Sequence, residues 1–216
     1  MVRLALFSLL AGALPAAGQT GAAPVLPISL YMSFQQQPPP AVLAAIREEV
    51  EAIMAPIGLH FEWRNLDGDR GQEVSVELAV ITFQGRCDTA GPALRGKVAG
   101  ALGWTHMSDG EILPFTDIAC DRVREFVSRA LSAVNLVERQ TAYGRALGRV
   151  LAHELYHIFA NTTKHGSWGV AKESYSVLDL LTEEFQFQEK ESRLIRSVRT
   201  HEPADPLGLN VLVNSR

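Results

Sequence analysis

Gly148-Arg-Val-Leu-Ala-His153-Glu154-Leu-Tyr-His157-Ile-Phe-Ala-Asn-Thr-Thr-Lys-His165-Gly166 joins an H-E-x-x-H core to a further histidine shortly downstream. Side chains four residues apart share one face of a helix, so His153 and His157 can take adjacent corners of a tetrahedral zinc site. Glu154 then lies close enough to act on a water at the metal. The flanking sequence supports the helix. Residues 141–160 read as one element whose Leu147, Leu151, Leu155 and Ile158 recur at helical spacing. On such a largely buried element, unpartnered polar groups are costly, and a metal ion satisfies all of them.

Working outward, the chain has 216 residues, 47% of them hydrophobic, and a net charge of −4. That suffices for one well-cored domain and is too short for two large ones. A mildly acidic chain has no electrostatic case for nucleic acid, and no basic block, Gly-rich phosphate loop or internal repeat is present. The N-terminus carries Arg3, an apolar run from Leu4 to Leu14 and the small residues Pro15-Ala16-Ala17-Gly18. This is the pattern of a secretory signal cut near Gln19. Residues 1–18 are therefore expected to be a signal peptide and the mature chain to be secreted or periplasmic. The apolar run is too short to span a bilayer, and no later stretch is long enough. An even count of two cysteines, Cys87 and Cys120, points in an exported protein to one disulfide, with two separate buried thiols as the alternative. The bridge would close a loop of roughly 33 residues, worth roughly 3–4 kcal/mol.

In chain order, residues 24–34 alternate as a first strand, and residues 41–54 form a helix with Val42, Ile46, Val50 and Ile53 on one face. A second strand covers residues 59–64, a turn rich in Asp and Gly covers 65–71, and the apolar run 74–83 reads as a central strand. Strands at 100–106 and 112–118 flank a Ser108-Asp109-Gly110 turn. Asp121 is placed to cap a helix running from Arg122 to about Leu136, which precedes the H-E-x-x-H helix. Beyond the Gly166–Gly169 turn, Ser176 and Asp179 flank the start of a charged helix over 177–200, and residues 203–216 read as a tail. His60 and His106 lie in strand-like runs with no second ligand at metal spacing, so both read as structural or surface histidines.

This order, with a long H-E-x-x-H helix and a third histidine after a short loop, resembles the metzincin clan of zinc endopeptidases. The resemblance implies an α+β, zincin-like fold: a mixed twisted sheet, a long active-site helix and a smaller, mostly helical C-terminal part, within one domain over residues 19–202. The usual clan pattern is H-E-x-x-H-x-x-G-x-x-H followed by a methionine turn. Here Ala160 stands at the glycine, Thr163 at the third histidine, and His165 comes two residues later. The spacing looks like that of a looser group of secreted bacterial metzincin-like proteins, in which Gly169-Val170-Ala171 would align with the methionine turn and Ala171 would replace its methionine.

The resemblance implies Zn²⁺ held by His153, His157 and His165, Glu154 as general base, and a peptide or protein substrate. Tyr175 is a candidate oxyanion donor, and Tyr156 reads as packing. A gluzincin-type alternative takes Glu183 or Glu184 as third ligand. A second alternative is a secreted module that keeps zinc for stability alone; a purely structural site would have no chemical use for Glu154.

Overall fold

Apolar residues at every second position build the sheet, and apolar residues at helical spacing build what covers it. A computed structural model of the chain describes residues 27–66, 68, 75–90 and 100–201. The signal-like residues 1–18, the expected cut near Gln19, the 203–216 tail and parts of the 65–71 and 84–120 stretches lie outside the described residues. The elements are β1 (Ile28–Gln36), α1 (Pro40–Met54), β2 (Phe61–Asn65), β3 (Leu78–Arg86), β4 (Gly103–Ser108), β5 (Glu111–Ala119), α2 (Cys120–Ser128), α3 (Leu136–Phe159), α4 (Val177–Leu181) and α5 (Glu189–His201).

The strand order is β2-β1-β3-β5-β4, with every pairing parallel except the antiparallel edge pair β4–β5. β3 is central, as its apolar run predicts, and Ala79, Ile81 and Phe83 are fully buried. The turn into β5 has both Asp109 and Gly110 at positive φ, the pairing that a type I′ two-residue hairpin requires. α1 buries the expected face of Val42, Ile46, Val50 and Ile53, and α3 buries Leu147, Leu151 and Leu155. The two helices lie unusually close. A Cβ on Gly144 would stand 2.6 Å from the Val42 carbonyl oxygen, and one on Gly148 would stand 2.9 Å from Glu49 Cβ. The core fills the space between these helices and the sheet. Cys87 and Cys120 are disulfide-bonded with Cα atoms 4.9 Å apart, clipping the segment after β3 to the start of α2.

Several boundaries differ from the sequence expectation: β3 is Leu78–Arg86 where a strand over 74–83 was expected, β4 is Gly103–Ser108 where one over 100–106 was expected, and the helices differ more. The helix expected over residues 122–136 is α2, which ends at Ser128. Leu136 instead opens α3, whose N-cap Asn135 accepts a hydrogen bond from the Glu138 amide. Asp121 is not the cap of α2. It sits in the first turn, where its carboxylate takes the Arg86 amide and the Arg124 guanidinium. The charged helix over residues 177–200 is broken into α4 and α5, because the stretch between them buries Phe185 beneath the Arg149 guanidinium and gives the Gln186 carbonyl to the Val170 amide. Among the described residues, no helix is long and apolar enough to cross a membrane.

Candidate metal centre

α3 delivers His153, Glu154 and His157 on buried turns, where they are 8%, 5% and 9% exposed. Just past the helix, Asn161 adopts a left-handed conformation, with its amide on the Ile158 carbonyl and the Thr162 amide on the His157 carbonyl. This is a Schellman turn with asparagine in the position that needs positive φ. It reverses the chain, so that the exposed His165 returns over the helix. Its ring centroid lies 5.3 Å from that of His153 and 4.9 Å from that of His157.

The hydrogen bonds behind the rings decide their tautomers. His153 Nδ1 is 2.8 Å from the Val170 carbonyl oxygen and His157 Nδ1 is 2.7 Å from that of Thr162. A carbonyl only accepts, so each Nδ1 carries a proton and each Nε2 presents a lone pair. The two Nε2 atoms face each other 3.1 Å apart. Two bare lone pairs at that distance repel unless a cation lies between them, and nitrogens about 2.0–2.1 Å from a tetrahedral zinc are separated by roughly 3.3 Å. The donor set therefore fits zinc, and the ligating atoms of His153, His157 and His165 all lie within 4.8 Å of one another. Burial lowers the pKa of His153 to about 4, against the Val170 hydrogen bond that raises it, and lowers that of His157 as well. The rings thus stay neutral, as ligands must.

Glu154 is driven the other way. Burial raises its carboxyl pKa to about 7, opposed by hydrogen bonding to Thr105, whose hydroxyl donates to Oε2 over 2.8 Å.

No family model matches the sequence, and no curated protein matches it. The structure does have a solved counterpart in the crystal structure of archaemetzincin from Methanopyrus kandleri at 1.5 Å resolution. The TM-score is 0.50 at 14% identity, with 81% of this chain and 96% of that chain covered. The chain is similar in fold to archaemetzincin. At that identity the likeness to archaemetzincin speaks to the fold, and the centre is read from its own side chains.

Within this archaemetzincin-like fold, Glu183 and Glu184 are exposed on the segment between α4 and α5. Neither joins the cluster of potential ligands found among the described residues. The Tyr175 hydroxyl donates to the Val170 carbonyl and lies 2.9 Å from His153 Nδ1, behind the ring rather than beside Nε2. Tyr156 is buried, and its hydroxyl holds the Lys164 carbonyl on the loop that carries His165. His60 is exposed, and His106 pairs with Asp117 across the β4–β5 hairpin. Ala171 is buried in the 3₁₀ turn Gly169–Ala171, whose Val170 carbonyl orients His153.

Two cavities flank the centre. One of about 300 Å³ opens onto the three histidines and Glu154, with Trp104, Thr105 and Met107 on its wall. The other, about 250 Å³, lies on the far side of Glu154 between Leu102, Phe126, Val150 and Tyr175. The sequence reading missed Thr105 and the carbonyls of Val170 and Thr162. Asn161, directly after the apolar periodicity ends, was the available signal for the turn that returns His165. Nothing local marked Thr105, which is 49 residues from Glu154 in the chain.

Proposed function

We propose that this chain is an exported zinc peptidase in which His153, His157 and His165 hold the ion and Glu154 is the general base. The observation that carries the reading is the pair of Nε2 lone pairs facing each other at 3.1 Å, beside a buried carboxylate and at the mouth of an open cavity. A purely structural zinc site closes all four positions with protein ligands. Among the described residues the cluster supplies three candidate ligands, and the cavity in front of them would give a substrate access to an ion held there.

When bound, zinc supplies the Lewis acidity that polarises a scissile carbonyl and acidifies the attacking water. The chain's own groups do the rest. The carbonyls of Val170 and Thr162 hold the two imidazoles in the ligating tautomer. A peptide lies between β4 and the segment around Glu173–Tyr175, which together border the cavities. Glu154 accepts the proton of the attacking water on its carboxylate and passes it to the leaving amine. In the metal-free protein burial raises the proton affinity of this carboxyl, and a bound dication would favour its charged, proton-accepting form. The signal-like N-terminus and the Cys87–Cys120 bridge, a bond at home in oxidising compartments, support a secreted or periplasmic location with processing near Gln19.

Metal analysis of the purified mature protein, coupled with a mixed-peptide cleavage screen, tests the reading. One zinc per chain is expected, with chelator-sensitive cleavage restored by zinc. Glu154→Gln should keep its zinc and lose activity by roughly 10²- to 10⁴-fold. His165→Ala should lose zinc affinity by at least about 10-fold. A zinc-loaded wild type that cleaves nothing in a broad screen would leave the zinc-stabilised module as the better account.

A further inference from the structure

Thr105 belongs to β4, the edge strand that also forms a wall of the cavity in front of the histidines. Its hydroxyl lies 2.8 Å from Glu154 Oε2 and 3.2 Å from the Glu154 backbone oxygen. A hydroxyl has one proton to donate, and the nearer, ionisable acceptor is the stronger partner. Gly103, two residues earlier, projects to the same side of the strand. A Cβ there would stand 2.9 Å from Val150 Cγ1, 3.0 Å from Glu154 Cγ and 3.1 Å from Glu154 Oε1. The bare backbone of β4 therefore rests directly on the stem of the glutamate, while the next residue on that face tethers one of its oxygens. Among the described residues, Oε1 accepts no hydrogen bond.

From this contact we infer that Thr105 is a positioning residue, which together with the closeness of Gly103 holds the Glu154 carboxylate in one orientation and reserves Oε1 as the atom that takes the proton. The inference rests on the reading of Glu154 as general base. A glutamate has three rotatable bonds, and in a site with room in front of it an untethered carboxylate swings between orientations, most of them unproductive. The strand that borders the substrate thus also aims the base, so sequence changes in β4 act on chemistry as well as on binding.

The test uses the zinc-loaded protein and three variants. Thr105→Val keeps the branched shape suited to a strand and removes the donor. It should lower kcat roughly 10- to 100-fold, with KM and zinc affinity within about 2-fold of wild type. Thr105→Ser restores the donor and should recover kcat to within about 3-fold, which a merely structural role would not do. Gly103→Ala presses on Val150 as well as on Glu154 Cγ and Oε1, and should lower kcat with Thr105 intact while the Glu154 carboxylate shifts in its crystal structure. Crystal structures of wild type and Thr105→Val add a readout that needs no substrate, in which the Glu154 carboxylate should shift or split while the three histidines stay in place. An unmoved carboxylate, an unchanged kcat, or a loss of zinc affinity that parallels the loss of kcat in Thr105→Val overturns the inference. A wild type that binds zinc but cleaves nothing overturns the peptidase reading alone, and the displacement of the carboxylate then still decides the Thr105 contact.

Discussion

At the scale of single residues, the same burial pushes two neighbours on α3 in opposite directions. In the metal-free protein Glu154 has a carboxyl pKa of about 7, against 4.5 for the unperturbed group. Its folded form binds the proton more tightly than the unfolded chain does, so the stability it contributes is present below about pH 4.5 and lost as pH rises through about 7. The full swing is about 3 kcal/mol. His153 runs the other way: its folded pKa of about 4 lies below 6.5, so its neutral ring loses stability as pH falls through that window. Glu154→Gln removes only the first effect. Urea unfolding of the chelated proteins should therefore show no difference between variant and wild type at pH 4, and a variant more stable by about 3 kcal/mol at pH 8. A difference that does not change with pH would refute the buried, proton-binding glutamate. Zinc should shrink the contrast, because a dication beside the carboxylate favours its charged form.

At the scale of elements, the centre depends on how closely α3 lies against α1. Gly144 and Gly148 let the two backbones approach, and Arg149, fully buried, then ties α3 to Glu49 of α1 over 2.6 Å and to the Asp179 carbonyl of α4 over 2.8 Å. On helix propensity alone a side chain at Gly144 would be favourable, since glycine in a helix interior costs about 1 kcal/mol relative to alanine. Contact reverses the sign. Gly144→Val pushes a branched side chain into the Val42 carbonyl and Ala45, and should destabilise the protein by about 1–3 kcal/mol. For a chain of this size that corresponds to a fall in Tm of roughly 3–10 °C, readable by calorimetry. A variant as stable as wild type would mean that the helices separate without cost. The helix-facing residues of α1 and α3 were legible because their periodicity is local. The ends of α2 and α3 and the break between α4 and α5 were not, because side chains and backbone groups distant in the sequence set them.

At the scale of the whole molecule, the Cys87–Cys120 bridge joins the end of the central strand β3 to the helix after β5, closing a loop of 33 residues. Constraint of the unfolded chain makes such a loop worth about 3–4 kcal/mol. Neither cysteine lines the two cavities at the candidate metal centre. The double variant Cys87→Ala, Cys120→Ala should therefore lose about that much stability in denaturant unfolding, while its zinc affinity, measured where it is still folded, should stay within about 3-fold of wild type. A parallel loss of zinc affinity would show that the bridge holds the site as well as the fold.

The sequence by itself determined the candidate donors and the scaffold beneath them. H-E-x-x-H sets two histidines and a glutamate one helical turn apart, and the apolar repeat through Leu147, Leu151 and Leu155 determines which face of that helix is buried. It also carried the central strand and favoured a bridge between its two cysteines, with separate thiols left open until the fold placed them together. Tertiary structure decided the environment that makes those donors a site. The carbonyls of Val170 and Thr162 choose the tautomers, Thr105 from β4 holds the carboxylate, and the turn at Asn161 sets where His165 stands. The physical reason is that side-chain spacing on a helix is a property of neighbouring residues, whereas the partner of a buried polar atom is whichever group the fold brings within hydrogen-bonding distance.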